Sequence, residues 1–189
     1  MKLALLLGMR AVVPAMVVFI LLVAPPFLSS FLLTLVTQAL IYAIVAMSLD
    51  IILGYTGLAS LGHAAYFGLG AYSVGILATR YGAGFGITLP AGVFLALAVA
   101  AIFGLVALRT TGVYFLMITL ALGMVVWGLA HRWVTMTQGD NGISAIARPD
   151  LGLPWSLARS IPFYYFALAG FFIAFWILRT IVRSPFGQT

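Results

Sequence analysis

Along the chain, long uncharged apolar runs alternate with short polar breaks. Six runs stand out, at approximately residues 11 to 28, 30 to 49, 59 to 79, 87 to 108, 110 to 130 and 160 to 178. Each is close to the roughly 20 residues, range about 17 to 25, that a helix needs to cross a hydrocarbon core. The breaks hold turn and anchor residues: Pro25-Pro26 with Ser29-Ser30, the Gly54-Tyr55-Thr56-Gly57 turn, Arg80 with a glycine-rich stretch through Gly86, and Arg109. Lipid offers the backbone no hydrogen bonds, so apolar runs of this length predict helices that satisfy their own amides. The pattern therefore predicts an all-α fold, a polytopic transmembrane bundle of about six spanning helices forming one domain over residues 1 to 189.

Composition sharpens this reading. Of 189 residues 65% are hydrophobic and 6% charged, against about a quarter charged in an ordinary soluble domain. Nine basic and three acidic residues cannot clothe a water-soluble globule of this size. The net charge of +6 is carried by single, scattered arginines and one lysine that flank the apolar runs. That is the placement of headgroup anchors, not of a phosphate-binding surface, so the expected partner is the lipid bilayer and not nucleic acid.

Lys2 and Arg10 ahead of the first run hold the N-terminus in the cytoplasm. The run from Ala11 to Leu28 is long for a signal peptide, and Pro25-Pro26 stands where a small-residue cleavage site would be, so it is read as a first spanning helix. Six crossings starting inside place Lys2, Arg10, Arg109, Arg179 and Arg183 in the cytoplasm and Arg80, Arg132, Arg148 and Arg159 outside. Five against four is a narrow margin for this rule. The connection from residue 131 to 159 is the one sizeable polar segment, and it falls on the extracytoplasmic side. Its Gly139-Asp140-Asn141-Gly142 run and following prolines are turn chemistry, which makes it either a docking or gating surface or a solvated connector.

Ser60, Ala64, Gly68, Ala71 and Gly75 recur at spacings of three and four, so on one helix they form a stripe of small side chains. Such stripes let helix backbones approach closely in lipid, which predicts that this helix is buried in the bundle by packing. Asp50 and His63 are the ionisable side chains flanking the Gly54 to Gly57 break. Ionisable groups at membrane depth are costly and often functional, and two glycines three residues apart suggest an interrupted helix that could line a pathway. The plainer alternative is an interfacial aspartate and a packing histidine.

Chemistry is nearly absent. Two histidines, three aspartates, no glutamate and no cysteine leave little for acid–base or nucleophilic work and exclude disulfides and thiolate metal sites. Leu58-Ala59-Ser60-Leu61-Gly62 lacks the first glycine of a nucleophile elbow, and no phosphate-binding loop ending in Gly-Lys-Ser/Thr occurs. No cofactor and no enzymatic activity are expected. Any ATPase has to be another subunit.

The stretch Leu49-Asp50-Ile51-Ile52-Leu53-Gly54-Tyr55-Thr56-Gly57-Leu58-Ala59-Ser60-Leu61-Gly62-His63-Ala64-Ala65-Tyr66-Phe67-Gly68 continues to Leu69-Gly70-Ala71-Tyr72. It resembles the signature of the LivH/LivM-type permeases of branched-chain amino acid ABC importers. The block from Leu108-Arg109-Thr110-Thr111-Gly112-Val113-Tyr114 to Gly123 and the Thr137-Gln138-Gly139-Asp140-Asn141-Gly142-Ile143 loop are similar to the LivM branch. Arg183-Ser184-Pro185-Phe186-Gly187 looks like the segment entering the family's cytoplasmic coupling loop, so the chain resembles an N-terminal portion, incomplete at its C-terminus. Asp50, where the family often has asparagine, and Gln188, in place of a usual basic residue, depart from the pattern.

The resemblance implies a permease subunit in a bacterial inner membrane that moves branched-chain amino acids. It implies two ATP-binding cassette subunits, a second permease subunit and an extracytoplasmic substrate-binding protein that would dock near Gly139, Asp140, Asn141 and Gly142. Related permeases for urea, short amides or aromatic acids share these blocks, and an inactive truncated membrane scaffold is the remaining alternative.

Overall fold

A computed structural model describes residues 12, 15–144, 146 and 159–184. Helix α1 covers residues 15 to 23 and is followed by a 3-10 turn at Pro25–Phe27. Then come α2 (Ser30–Thr56), α3 (His63–Tyr81), α4 (Phe85–Ala107), α5 (Val113–Arg132), the short α6 (Val134–Thr137), a second 3-10 turn at Gly139–Asn141, and α7 (Ser160–Arg183). Among the described residues there is no strand. Helices α2, α4, α5 and α7 are long and apolar enough to cross a membrane. Helix α3 links the end of α2 to the start of α4, and its 19 residues reach about 28 Å at 1.5 Å per residue.

The boundaries correct two expectations. The Gly54-Tyr55-Thr56-Gly57 turn is not a break at Gly54, because α2 runs unbroken for 27 residues through Asp50 and Gly54 to Thr56. Where no water competes for the amides, glycine is tolerated inside a helix. The helix stops at Gly57, whose φ of 69° is the left-handed cap that glycine adopts without strain. The third run forms a helix from His63 and not from residue 59, which leaves Ser60 in the non-helical segment between α2 and α3.

The N-terminal ends of α2 and α7 lie side by side, around a cavity lined by Leu28, Ser30, Leu33, Arg159 and Ser160. The two helices therefore run parallel, with three crossings between them. Phe85 at the start of α4 meets Phe166 of α7, ring centroids 5.5 Å apart, and Arg80 at the end of α3 donates to the Thr135 carbonyl on α6. The 24–29, 80–85 and 132–144 connections thus share one face with the start of α7. The 57–62 and 108–112 connections lie on the other.

Packing divides the helices into two groups. Leu33 and Leu40 of α2 bury against Tyr164 and Leu168 of α7, with Leu21, Val36, Phe171 and Phe172 around them. In the second group α3 packs on α4 and α5. A Cβ added at Gly92 of α4 would stand 3.2 Å from the Gly70 carbonyl oxygen and 3.1 Å from Val74 of α3, so these helices approach as closely as their glycines permit. Between the groups lie the Tyr42–Phe67 and Phe85–Phe166 ring contacts and a hydrogen bond between Ser48 of α2 and His63.

Pro25 and Pro26 explain a further contact. In a continuing helix the amides of residues 25 and 26 would donate to the carbonyls of Leu21 and Leu22, but proline has no N–H. Those carbonyls instead accept the hydroxyls of Tyr164 at 2.8 Å and Tyr165 at 2.9 Å, both from α7. The break in α1 is closed by side chains from the far end of the chain.

Candidate functional site

The segment 58–62 crosses α5 at close quarters. A Cβ on Gly62 would lie 2.6 Å from the backbone oxygen of Thr119, and one on Gly123 would lie 3.4 Å from Gly62 Cα. Leu61 N–H donates to Thr119 Oγ1 at 3.2 Å, and the same hydroxyl donates to the Leu116 carbonyl at 3.0 Å. Thr119 and Gly123 are one turn apart on α5, so together they form the notch that accepts the crossing backbone.

Above this crossing a cavity of about 470 Å³ opens between α3 and α5. Its walls are apolar, with Ala64, Gly68 and Tyr72 on α3 facing Leu120, Met124 and Trp127 on α5. Leu61 and Gly123 lie at the lower end, next to the crossing, while His131, Gly139 and Asp140 form the opposite rim. There His131 Nδ1 stands 3.1 Å from Asp140 Oδ1, and the imidazole stacks on Trp127 with centroids 5.1 Å apart and planes 16° from parallel. Among the described residues this is the one acid–base side-chain pair.

The rim is fixed by its turn. Thr137 Oγ1, with one proton to share, stands within hydrogen-bond reach of the Ala130 carbonyl on α5 and the Trp133 carbonyl just after it, and accepts from Gly139 N–H at 3.3 Å. Gln138, Gly139 and Gly142 all have positive φ, and a Cβ at Gly139 would approach the His131 carbonyl oxygen to 3.1 Å. This backbone, with the 3-10 turn Gly139–Asn141, brings Asp140 over His131.

Among the described residues, no other helix packs against the small-residue stripe. Ala64 and Gly68 border the cavity, and nothing lies within 4 Å of a Cβ at Gly68. Ala71 lies beside Ile143 and Ile146, and a Cβ at Gly75 would touch those same two side chains at 3.3 and 3.1 Å. The upper half of the stripe is therefore covered by the loop after α6, and the close helix contact of α3 uses Gly70 on another face. Ser60, ahead of the helix, takes no part in the stripe.

Asp50 is exposed on α2, one turn before Gly54. His63 opens α3, with Nε2 2.8 Å from Ser48 Oγ, while Ser48 donates to the Val45 carbonyl at 2.7 Å. A hydroxyl has one proton, so Ser48 accepts from His63, which leaves the buried Nδ1 without a partner. His63 also meets Tyr66 edge to face at 5.9 Å. Asp50 and His63 do not converge on the cavity. Among the described residues, no group of three histidine, aspartate or glutamate side chains could hold a metal ion. Gly62, Thr119, Gly123, Trp127 and His131 were not singled out from the sequence. Of these, only the Thr119-to-Gly123 spacing carries a signal, a small-xxx-small pair.

Residues 31–189 match the family model described as "Branched-chain amino acid transport system / permease component". The chain is 30% identical over 174 residues to the high-affinity branched-chain amino acid transport system permease protein LivM of Escherichia coli K12, covering 80% of this chain and 41% of that protein. It is 29% identical over 174 residues to the LivM of Salmonella typhimurium LT2, with the same coverage. The chain thus spans 41% of the length of these relatives. No solved structure matches it. With four described helices able to span a membrane and the family model covering all but the first 30 residues, the chain belongs to the branched-chain amino acid transport system permease family.

Proposed function

We propose that this chain forms part of the permease subunit of an ABC importer that carries branched-chain amino acids across the bacterial inner membrane. The match of residues 31–189 to the permease family carries this reading. The chain supplies membrane helices and pathway walls and no bond-breaking chemistry. ATP hydrolysis belongs to two cassette subunits, a second permease subunit completes the membrane part, and a binding protein delivers solute from outside. In this reading the face holding the 131–159 connection is extracytoplasmic, and the turn Gly139-Asp140-Asn141-Gly142 lies where a binding protein would release its cargo. Asp50, Gly54, Gly57 and His63 mark the opposite half, where α2 passes into α3.

The test is uptake together with pull-down. Cells whose gene for this chain is deleted are expected to lose uptake of labelled leucine, isoleucine and valine and to regain it on complementation. The tagged chain is expected to bring down two ATPase subunits and a second permease. Recovery of the chain alone with unchanged uptake would refute the proposal, and uptake lost for urea, short amides or aromatic acids instead would redirect it.

A further inference from the structure

On α2 every fourth residue from Ser30 onward is exposed, through Thr34, Gln38, Tyr42 and Ala46 to Asp50, and none of the six is a bulky aliphatic residue. Residues four apart form one continuous ridge on a helix. Off this ridge, Phe31, Leu32, Leu35 and Leu53 present the hydrocarbon that suits a lipid-facing surface. The 27 residues of α2 rise about 40 Å against a hydrocarbon core of about 30 Å, so roughly one turn is spare at each end. Gln38 stands eight residues after Ser30 and Asp50 six before Thr56, which puts both inside that core.

Among the described residues the Gln38 amide, the Tyr42 hydroxyl and the Asp50 carboxylate have no hydrogen-bond or ion-pair partner. Hydrocarbon would leave all three unsatisfied at a high cost. A neighbouring helix would need a matching polar group for each of them, spread over about 18 Å, and a cation for the carboxylate. Water meets all three. The ridge also begins in polar cavities. Ser30 lines one of about 510 Å³ with Arg159 and Ser160, at the face where α2 and α7 start. Ser160 borders a second, of about 140 Å³, together with Thr34, Thr37 and Gln38. Each exceeds the roughly 10–15 Å³ that one water needs, and through Ser160 they form a polar track from that face down to Gln38. We propose that this ridge of α2, from Ser30 to Asp50, lines the water-filled path of the solute. This deepens the importer reading and rests on it for the existence of a path.

With no cysteine in the chain, single cysteines test the ridge directly. Gln38→Cys, Tyr42→Cys and Ala46→Cys are compared with Leu35→Cys and Ala39→Cys, which are exposed off the ridge at similar or shallower depth. All five are measured in membranes of the cells that express the protein with its own partners. N-ethylmaleimide crosses the bilayer but reacts with the thiolate, which forms only where water reaches. The ridge cysteines are expected to react at least tenfold faster than the two controls. A smaller difference overturns the proposal, whether lipid or a dry helix contact covers the ridge. Thr34→Cys and Asp50→Cys replace any ridge variant that fails to reach the membrane. Uptake of labelled leucine is followed in the same cells. Intact uptake with a slow ridge rejects the path and leaves the permease reading standing. A fast ridge in a chain whose deletion leaves uptake unchanged rejects the permease reading alone.

Discussion

At Gly62 a methyl group would be driven to 2.6 Å from the Thr119 carbonyl oxygen, a backbone atom that cannot swing aside. Gly62→Ala is expected to lower thermal stability in detergent by about 1–3 kcal/mol, the usual cost of overpacking. Gly68→Ala, with open space around it, is expected to change stability little, and a thermal melt of both variants compares them. Gly139→Ala combines a φ of +57° with a 3.1 Å approach to His131, and the left-handed backbone alone costs about 1–2 kcal/mol. Its melting temperature should fall, because the turn that holds Asp140 beside His131 is strained. These glycines look alike in the sequence. Spacing selected Gly68 and Gly75 for helix packing, yet it cannot reveal which atom stands opposite each one. Gly62 depends on Thr119, 57 positions away, and its tight fit became visible only with the fold.

The elements were easier to foresee, because each long apolar run has few ways to satisfy its backbone in lipid. Helices appear over the second to sixth runs, with the errors at their ends, whereas of the first run only residues 15 to 23 form a continuous helix among the described residues, too short to span, and residues 11, 13 and 14 lie outside them. Gly54 looked like a stop and is helix interior, while Gly57 is the stop and alone of the two adopts a positive φ. The Pro25-Pro26 break was legible, but not the tyrosines that repair it. Replacing Tyr164 by Phe removes a donor from the Leu21 carbonyl, and interhelical hydrogen bonds of this kind are worth about 0.6 kcal/mol, up to about 1.7. Pro25→Ala restores an amide able to reach that carbonyl. The loss from Tyr164→Phe is therefore expected to shrink in the Pro25→Ala background, and a double-mutant cycle on detergent melts measures the coupling. Additive effects would show that the hydroxyl is not filling the proline's role.

For the whole molecule, the parallel arrangement of α2 and α7 fixes which connections share a face, something that charges divided five to four could not decide. The chain has no cysteine, so single cysteines report cleanly. Asn141→Cys is expected to react with an impermeant maleimide from outside intact cells, and Arg109→Cys only after the membrane is opened; the reverse pattern would invert the proposed orientation. The hydroxyls that complete α1 also set an order of assembly. Tyr164 lies 143 residues after Leu21, and a ribosome adding about 5–20 residues per second needs roughly 7 to 30 seconds to cover that gap. For that interval the nascent first helix carries two bare carbonyls, which must be met by water, headgroups or the insertion machinery until α7 emerges.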